Sequence, residues 1–200
     1  MLLQATNRLA EAEPLMRRTL VIDEKSYGPE HPNVAIRLNN LAMLLKATSR
    51  LAEAEPLMRR ALAIVEKRYG PEHPNVATAL NNLAALLLAT NRLADAEPLM
   101  RRALAIDEKS YGPEHPNVAR NLNNLAQLLK ATNRLAEAEP LMRRALAILL
   151  DFSRRTGHES PHQQGALESY RQLLRAMGKS QAEIDVAIQE LRAELSPRPK

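Results

Sequence analysis

Residues 75–116 read NVATALNNLAALLLATNRLADAEPLMRRALAIDEKSYGPEHP, and this stretch decides the fold. The residues before it, 33–74, are identical to it at 34 of 42 positions. The unit begins again at Asn117, and its second half already occupies residues 2–32. A fixed period of this length is typical of proteins built from stacked structural repeats, whose units bury their apolar faces against one another.

Each unit contains two segments with the periodicity of an amphipathic helix. Between residues 76 and 89, and again between 93 and 109, apolar residues recur at the i, i+3, i+4, i+7 spacing of one helix face. In the first segment these are Leu80, Leu83, Ala84 and Leu87, and in the second Ala96, Leu99, Met100, Ala103, Leu104 and either Ile106 or Asp107. The pattern predicts an all-α fold, a right-handed solenoid of stacked antiparallel helical hairpins.

The residues between the helices fit short connections. Asn91 predicts a tight turn inside the hairpin, because asparagine tolerates the left-handed backbone conformation. Gly112 and Pro113 predict the end of the second helix. Pro116, after His115, predicts the start of the next one, since proline is favoured at the first helical position.

The predicted repeat domain covers residues 1–195. It comprises a partial first repeat (1–32), three full repeats (33–74, 75–116 and 117–161), and a degenerate repeat followed by a C-terminal capping helix (162–195), with a disordered tail at 196–200. In the partial repeat, residues 1–7 correspond to the last turns of a first helix and Leu9 to Lys25 to a complete second helix. The apolar face of that second helix would lack its partner, which predicts self-association through the N-terminal end. Either the chain is a fragment of a longer protein, or the missing helix comes from another subunit.

The capping helix is predicted from two features. Ser180 and Glu183 have the spacing of a capping box, which opens a helix. After it, a single apolar stripe is flanked by polar residues, as expected of a helix with one face on the last repeat and one in water. The stripe consists of Ile184, Ile188, Leu191 and Leu195.

These residues resemble the tetratricopeptide repeat. Leu80, Leu83-Ala84 and Leu87, followed by Ala96, Met100 and Ala103, follow the family pattern W-x2-L-G-x2-Y…A-x3-F with leucine, alanine and methionine replacing the aromatic residues and glycine. The 42-residue period, the LNNLA stretch, the AEPL proline and the YGPEHPNVA linker are similar to the kinesin light chain type of this repeat. The resemblance covers about residues 2–176. It implies a protein-binding scaffold.

Composition and charge exclude several other classes of function. The chain lacks cysteine, so it has no disulfide or thiolate metal site, and no apolar run is long enough to predict a membrane span. Its net charge of +5 is spread over the repeats, and with 2% aromatic residues it has few platforms for base stacking, so we predict no nucleic-acid binding. Each arginine pair begins four residues after a glutamate, which predicts helical ion pairs. The four pairs are Glu13–Arg17, Glu55–Arg59, Glu97–Arg101 and Glu139–Arg143. We predict a cytoplasmic protein without a membrane partner.

No motif predicts catalysis or a cofactor. Gly178-Lys179-Ser180 resembles the end of a phosphate-binding loop, but it follows a predicted helix instead of a strand and lacks the first glycine. His31, His73 and His115 recur once per repeat and would be too far apart for a shared metal, because neighbouring helix axes are about 8–10 Å apart. We interpret these histidines as helix-start or linker residues. The protein is predicted not to be an enzyme and to bind neither metal nor cofactor.

The paired asparagines of the first helices are the candidate binding residues. Asparagine is a mediocre helix former, so its repeated placement inside helices calls for a reason. Its side chain can both donate and accept hydrogen bonds, which suits the backbone of an extended peptide. The resemblance implies that an asparagine at the position of Asn40, Asn82 and Asn124 contacts bound peptide in a concave groove. The alternative is that the asparagines bond neighbouring repeats, and one member of each pair could have each role.

Differences between the near-identical repeats suggest further groove residues. The positions that vary include 36/78/120, 43/85/127 and 46/88/130, on the same predicted face. Basic residues among them favour an acidic partner peptide. The complete predicted peptide-binding set is Asn39, Asn40, Asn81, Asn82, Asn123, Asn124, Met43, Lys46, Leu88, Arg120, Gln127 and Lys130. The second hypothesis for function is a structural or regulatory repeat arm of a larger signalling protein, such as an ATPase or a protease.

Overall fold

The computed structural model describes residues 2–195, apart from the side chains at positions 2–8 and 10. Within this range it contains nine helices and no strands. They are α1 (Leu2–Tyr27), α2 (Pro32–Ala47), α3 (Leu51–Tyr69), α4 (Pro74–Ala89), α5 (Leu93–Tyr111), α6 (Pro116–Ala131), α7 (Leu135–Thr156), α8 (Gln163–Ala176) and α9 (Gln181–Glu194). The predicted tail at 196–200 lies outside the described residues.

The first helices begin at a recurring cap. His31, His73 and His115 each accept a hydrogen bond through the ring Nδ1 from the backbone N–H two residues later, at 3.1–3.2 Å. Each imidazole also stacks on the last residue of the preceding helix, Tyr27, Tyr69 or Tyr111, with ring centroids 4.6–4.9 Å apart. A proline follows at the first helical position, where its missing N–H costs nothing. The interpretation of the histidines as helix-start residues is therefore confirmed.

The turns inside the hairpins need a left-handed residue. Asn91 and Asn133 have φ values of 57° and 58°, as predicted for Asn91, and Ser49 has 62° in the equivalent place. The second helices end at Gly70 and Gly112, with φ of 87° and 88°. A side chain at either glycine would be strained in that conformation.

One local prediction is wrong. The equivalent of the hairpin turn was expected near Asn7, but α1 continues from Leu2 to Tyr27 without interruption. Residues 2–7 therefore form the first turns of α1 and not the end of a separate helix.

The chain divides into two compact units, Met1–Ile106 and Asp107–Lys200. In the first unit α1 packs on α2, α2 on α3, and α3 on α4. Its core consists mainly of leucine and alanine, and the predicted core residues Leu80, Leu83, Ala84 and Leu87 are at most 1% exposed. Ala103 and Ile106 of α5 pack against Val76, Ala77 and Leu80 of α4.

In the second unit α6 packs on α7, α7 on α8, and α9 contacts both α7 and α8. The capping box at Ser180 and Glu183 is present, which confirms the predicted start of α9. Ile184, Ile188 and Leu191 are buried, so the apolar stripe lies against the unit as predicted.

Candidate functional site

The predicted peptide-binding residues, together called the stripe, lie on the first helices of the repeats, α2 and α4 in the first unit and α6 in the second. In the first unit, Asn40 and Met43 of α2 are exposed, whereas the remaining members on α2 and α4 are half-buried: Asn39, Lys46, Asn81, Asn82 and Leu88. In the second unit, Arg120 of α6 is exposed, whereas Asn123, Asn124, Gln127 and Lys130 are half-buried. The stripe is therefore partly accessible in each unit.

One asparagine pair joins consecutive repeats in the first unit. The side-chain amide Nδ2 of Asn82 donates a 2.8 Å hydrogen bond to Oδ1 of Asn39. The alternative role considered for the asparagines, bonding between repeats, is thus observed at these two residues. Each retains further donor or acceptor capacity, because a side-chain amide offers two donors and two acceptor lone pairs. A role in peptide contact is compatible with this bond.

The second unit uses its stripe differently. Gln127 Nε2 donates to Ser169 Oγ of α8 at 2.9 Å, so this predicted binding residue joins two helices. The Oδ1 atom of Asn123 is buried and has no hydrogen-bond partner among the described residues. Leaving a buried acceptor without a donor costs free energy, about 1–3 kcal/mol. The packing of α6 therefore does not satisfy every asparagine on it.

A pocket lies beside the Asn39–Asn82 bond in the first unit. Its volume is about 200 Å³, and α2, α3 and α4 form its walls. The lining side chains are uncharged and mostly apolar: Pro32, Ala35, Ile36, Asn39, Met58, Ala61, Val65, Tyr69, Asn75, Thr78, Ala79 and Asn82. Two of the predicted binding residues, Asn39 and Asn82, are among them.

One residue pair outside the predicted site varies between repeats in a matched way. Arg37 of α2 pairs with Asp23 of α1, with Nε and Oδ2 2.8 Å apart. The positions equivalent to 23 and 37 carry Val65 and Ala79 one repeat later, and then Asp107 and Asn121. The sequence contained the signal for this pair, because both positions differ between repeats that agree almost everywhere else.

Asp107 and Asn121 form a buried polar pair in the second unit. Asn121 Nδ2 donates to Asp107 Oδ2 at 2.8 Å, and the two residues are 1% and 2% exposed. Burial raises the pKa of the Asp107 carboxyl above its usual value, while the Asn121 hydrogen bond and the nearby Arg120 and His115 act in the opposite direction. At the equivalent positions one repeat earlier, Val65 and Ala79 replace this polar pair by two apolar residues.

The arginine pairs of the second helices are largely neutralised. The first arginine of three pairs bonds the glutamate four residues before it, as predicted. The second arginine bonds the preceding repeat through a glutamate carboxylate at 2.6 Å and a linker proline carbonyl at 2.9–3.0 Å. These second arginines are Arg60, Arg102 and Arg144.

The fourth predicted ion pair is wrong. Arg143 bonds Glu194 of α9 at 2.6–2.7 Å instead of Glu139. Glu139 instead accepts a 2.8 Å hydrogen bond from the Tyr170 hydroxyl of α8. Helix α9 therefore supplies the partner of Arg143, and α8 supplies the partner of Glu139. These two contacts replace the ion pair seen within the second helices of the internal repeats.

The described residues contain neither a candidate membrane-spanning helix nor a candidate metal-binding cluster. None of the helices described here combines the length and apolar character needed to cross a bilayer. Over the same residues, no group of three or more histidine, aspartate or glutamate side chains is arranged to hold a metal ion.

A family model described as "Tetratricopeptide repeat" matches residues 1–67, 37–109 and 82–151. No curated protein sequence matches the chain. Among solved structures, a kinesin light chain protein with nearly identical TPR-like repeats from Podosopora anserina is 25% identical, with a TM-score of 0.75, covering 95% of this chain and 88% of that one. BtubC (BKLC) from P. vanneervenii is also 25% identical, with a TM-score of 0.77, covering 98% of this chain and 79% of that one.

Proposed function

This chain belongs to the tetratricopeptide repeat family, and we propose that it binds an extended segment of a partner protein along the first helices of its repeats. Repeats of this family generally mediate protein–protein interaction and are generally non-catalytic. The proposed role is therefore that of a scaffold, with the partner held by the asparagine-containing stripe. The predicted location in the cytoplasm is part of this proposal.

The observation that carries the proposal is the pocket beside Asn39 and Asn82 in the first unit. Amide groups and an apolar cavity lie side by side there, and Asn40 and Met43 are exposed on the same helix. Amides can hydrogen-bond a peptide backbone, while the cavity can accept a side chain. This combination suits an extended peptide better than it suits a flat protein surface.

The charges on the stripe support an acidic partner. Most arginines on the second helices are ion-paired within the protein, but none of Lys46, Arg120 and Lys130 belongs to an ion pair among the described residues. Lys46 and Lys130 therefore remain available to carboxylates of a ligand, whereas Arg120 lies near the Asp107 carboxyl and opposes the rise in its pKa that burial causes. Exposed charges contribute more to the rate of association and to specificity than to affinity, so binding should weaken as salt is raised.

A peptide-library screen tests the asparagine stripe. The wild type is compared with the variant Asn40→Ala/Asn82→Ala/Asn124→Ala, and we expect the variant to bind the selected peptides at least about 10-fold more weakly. Each lost hydrogen bond contributes about 0.5–1.5 kcal/mol, so three together produce a measurable loss. The matched control is Asn33→Ala/Asn117→Ala, which removes asparagines from the starts of α2 and α6 and should bind normally.

Circular dichroism must show that the triple variant is folded, because Asn82 also bonds Asn39. If peptides bind the folded triple variant as tightly as the wild type, the asparagines belong to the scaffold and the proposal is wrong.

The charge preference is tested separately. We expect Lys46→Glu/Lys130→Glu to bind acidic peptides more weakly and to reverse the effect of added salt on their binding. The control Lys25→Glu/Arg68→Glu makes the same change in net charge at the ends of second helices. Equal weakening by both variants would show that net charge, and not the stripe, determines the preference.

A second candidate function is self-association of the chain as a repeat arm of a larger signalling assembly. Its support is Ile22 of α1, which is 49% exposed although its equivalents Ile64, Ile106 and Ile148 are 1–5% exposed. Apolar burial stabilises association by about 25 cal/mol per Å². We expect light scattering to detect association that Ile22→Glu abolishes, and a monomer over a wide concentration range would contradict this function.

A further inference from the structure

The pocket of the first unit is lined at two positions by apolar residues where the neighbouring repeats carry polar ones. At the two positions in question, the preceding repeat carries the ion pair Asp23–Arg37 and the following one the hydrogen-bonded pair Asp107–Asn121. Val65 and Ala79 stand there in the middle repeat, and both line the pocket. Neither side chain can form a polar bridge between the helices, and alanine at position 79 is smaller than the arginine or asparagine at the equivalent positions.

We propose that Val65 and Ala79 determine the specificity of the peptide-binding surface by making this pocket a receptor for one leucine-sized aliphatic side chain of the bound segment. This inference rests on the proposed function and adds to it the chemistry of the partner. The occupant is a neutral aliphatic residue within an extended, otherwise polar segment.

Size and charge identify the occupant. An apolar cavity of about 150 Å³ accommodates benzene, so a pocket of about 200 Å³ has room for a leucine or methionine side chain. No charged side chain is among its lining residues, so an ionised group entering it would lose its hydration without gaining a counter-charge. Met58, which is 2% exposed, and Ala61 lie in the wall, and methionine adapts its shape to an apolar ligand.

The polar part of the pocket lining suits a peptide backbone. The bonded amides of Asn39 and Asn82 line the pocket together with Thr78. Ile36, 56% exposed, provides an apolar surface beside them. An aliphatic side chain entering the pocket would therefore place the amide groups of its own backbone next to side-chain amides. A free hydrocarbon would have no such contacts.

The experiment uses the full chain and N-acetyl-leucine N-methylamide, which presents a leucine side chain between two peptide groups. The methyl resonance of Met58 reports on the pocket by NMR, and that of Met142, which is 1% exposed in the second unit, serves as the internal control. We expect a saturable shift at Met58 only, with the alanine derivative and 3-methyl-1-butanol binding at least about 10-fold more weakly, because the first lacks apolar contact and the second the amides.

Two variants test the role of the pair. Val65→Asp/Ala79→Asn introduces the polar pair found at the equivalent positions 107 and 121. We expect it to abolish the shift of the Met58 methyl resonance. Val65→Ala enlarges the pocket, and we expect it to raise the affinity for the phenylalanine derivative relative to the leucine derivative. If circular dichroism shows the double variant to be unfolded, Val65→Ala decides the question.

Several results would overturn the inference: no saturable shift, equal binding of the alanine derivative or the alcohol, or unchanged preference in Val65→Ala. A Met58 shift that depends on protein concentration without any probe would show that a second copy of the chain occupies the pocket, which also overturns it. These outcomes differ from failure of the proposed function. Library peptides that bind through the asparagines but contain no aliphatic residue would refute the inference alone.

Discussion

Removing the donor from the buried Asp107–Asn121 pair should be more damaging than removing the whole pair. Asn121→Ala deprives a carboxylate that is 2% exposed of a 2.8 Å hydrogen bond. A hydrogen bond to a charged group contributes about 1.5–3 kcal/mol, so we expect the free energy of unfolding to fall by about that amount. Asp107→Val should cost about 1–3 kcal/mol, because it leaves the Asn121 amide buried beside a hydrocarbon.

The double variant Asp107→Val/Asn121→Ala recreates the Val65–Ala79 pair. We expect its free energy of unfolding to lie within about 1 kcal/mol of the wild type, because neither member of the pair is then left buried opposite a hydrocarbon. Urea unfolding of the four proteins gives the coupling energy of the cycle, expected to be at least about 1 kcal/mol. If the double variant loses the sum of the two single losses, the pair is not coupled and the reasoning is refuted.

The raised pKa of Asp107 determines how the differences in free energy of unfolding among these four proteins depend on pH. Because the folded-state pKa lies above the unfolded value of 3.8, the folded state binds the proton more tightly. The contribution of this group to stability is therefore fully present below pH 3.8 and is lost as pH rises through the folded pKa. Asn121→Ala removes an interaction that lowers the pKa, so its cost should be larger at pH 7 than at pH 3. Equal costs at both pH values would contradict a charged, hydrogen-bonded Asp107.

Three further predictions concern the scaffold. Leu83→Ala should destabilise its own repeat by about 2–5 kcal/mol, and hydrogen exchange should show the loss of protection concentrated there and not spread evenly over the chain. Ser49→Asn should raise the free energy of unfolding by up to about 1 kcal/mol, because asparagine adopts the left-handed conformation at φ 62° more readily; unchanged urea denaturation would contradict this. Hydrogen bonds from Ser180 and the charge of Lys179 lower the pKa of Glu183 from 4.5 to about 2, so the stability that it gives α9 is present above pH 4.5 and lost as pH falls through 2. Amide exchange in α9 of Glu183→Gln should therefore be faster than in the wild type at pH 6, and the two should agree at pH 2.

The repeat pattern was sufficient to predict the helices and most of the core. Because the same positions are apolar in several repeats, they can be distinguished from positions that are apolar in only one repeat. Asn91 and the capping box of Ser180 were also predictable, because each reflects the local chemistry of a few adjacent residues. What failed lies where the repetition stops: α1 continues through the expected turn, and Arg143 bonds Glu194. At these two places a residue has different neighbours from its equivalents in the internal repeats, so the repeat pattern does not predict its contacts.

The site was harder to predict than the fold because its contacts join residues far apart in the sequence. The exposed stripe on α2 follows from helical periodicity, which fixes the face on which each residue lies. The bond between Asn39 and Asn82 does not follow from it, since it depends on how two helices lie relative to each other. The variation at Val65 and Ala79 could be read from the sequence, but only the structure shows that the two positions border one pocket.

The arginines of the second helices and the lysines of the first helices differ in how freely they can vary between repeats. Arg60 and Arg102 each bond both a glutamate of the preceding repeat and a proline carbonyl of its linker, so replacing either would break contacts that join two repeats. Lys46 has no such constraint, and its equivalent one repeat later is Leu88. A repeat that keeps its connecting arginines can therefore exchange a lysine for a leucine on the first helix without loss of stacking. Variation restricted in this way changes the chemistry of the first helices and keeps the contacts that join consecutive repeats.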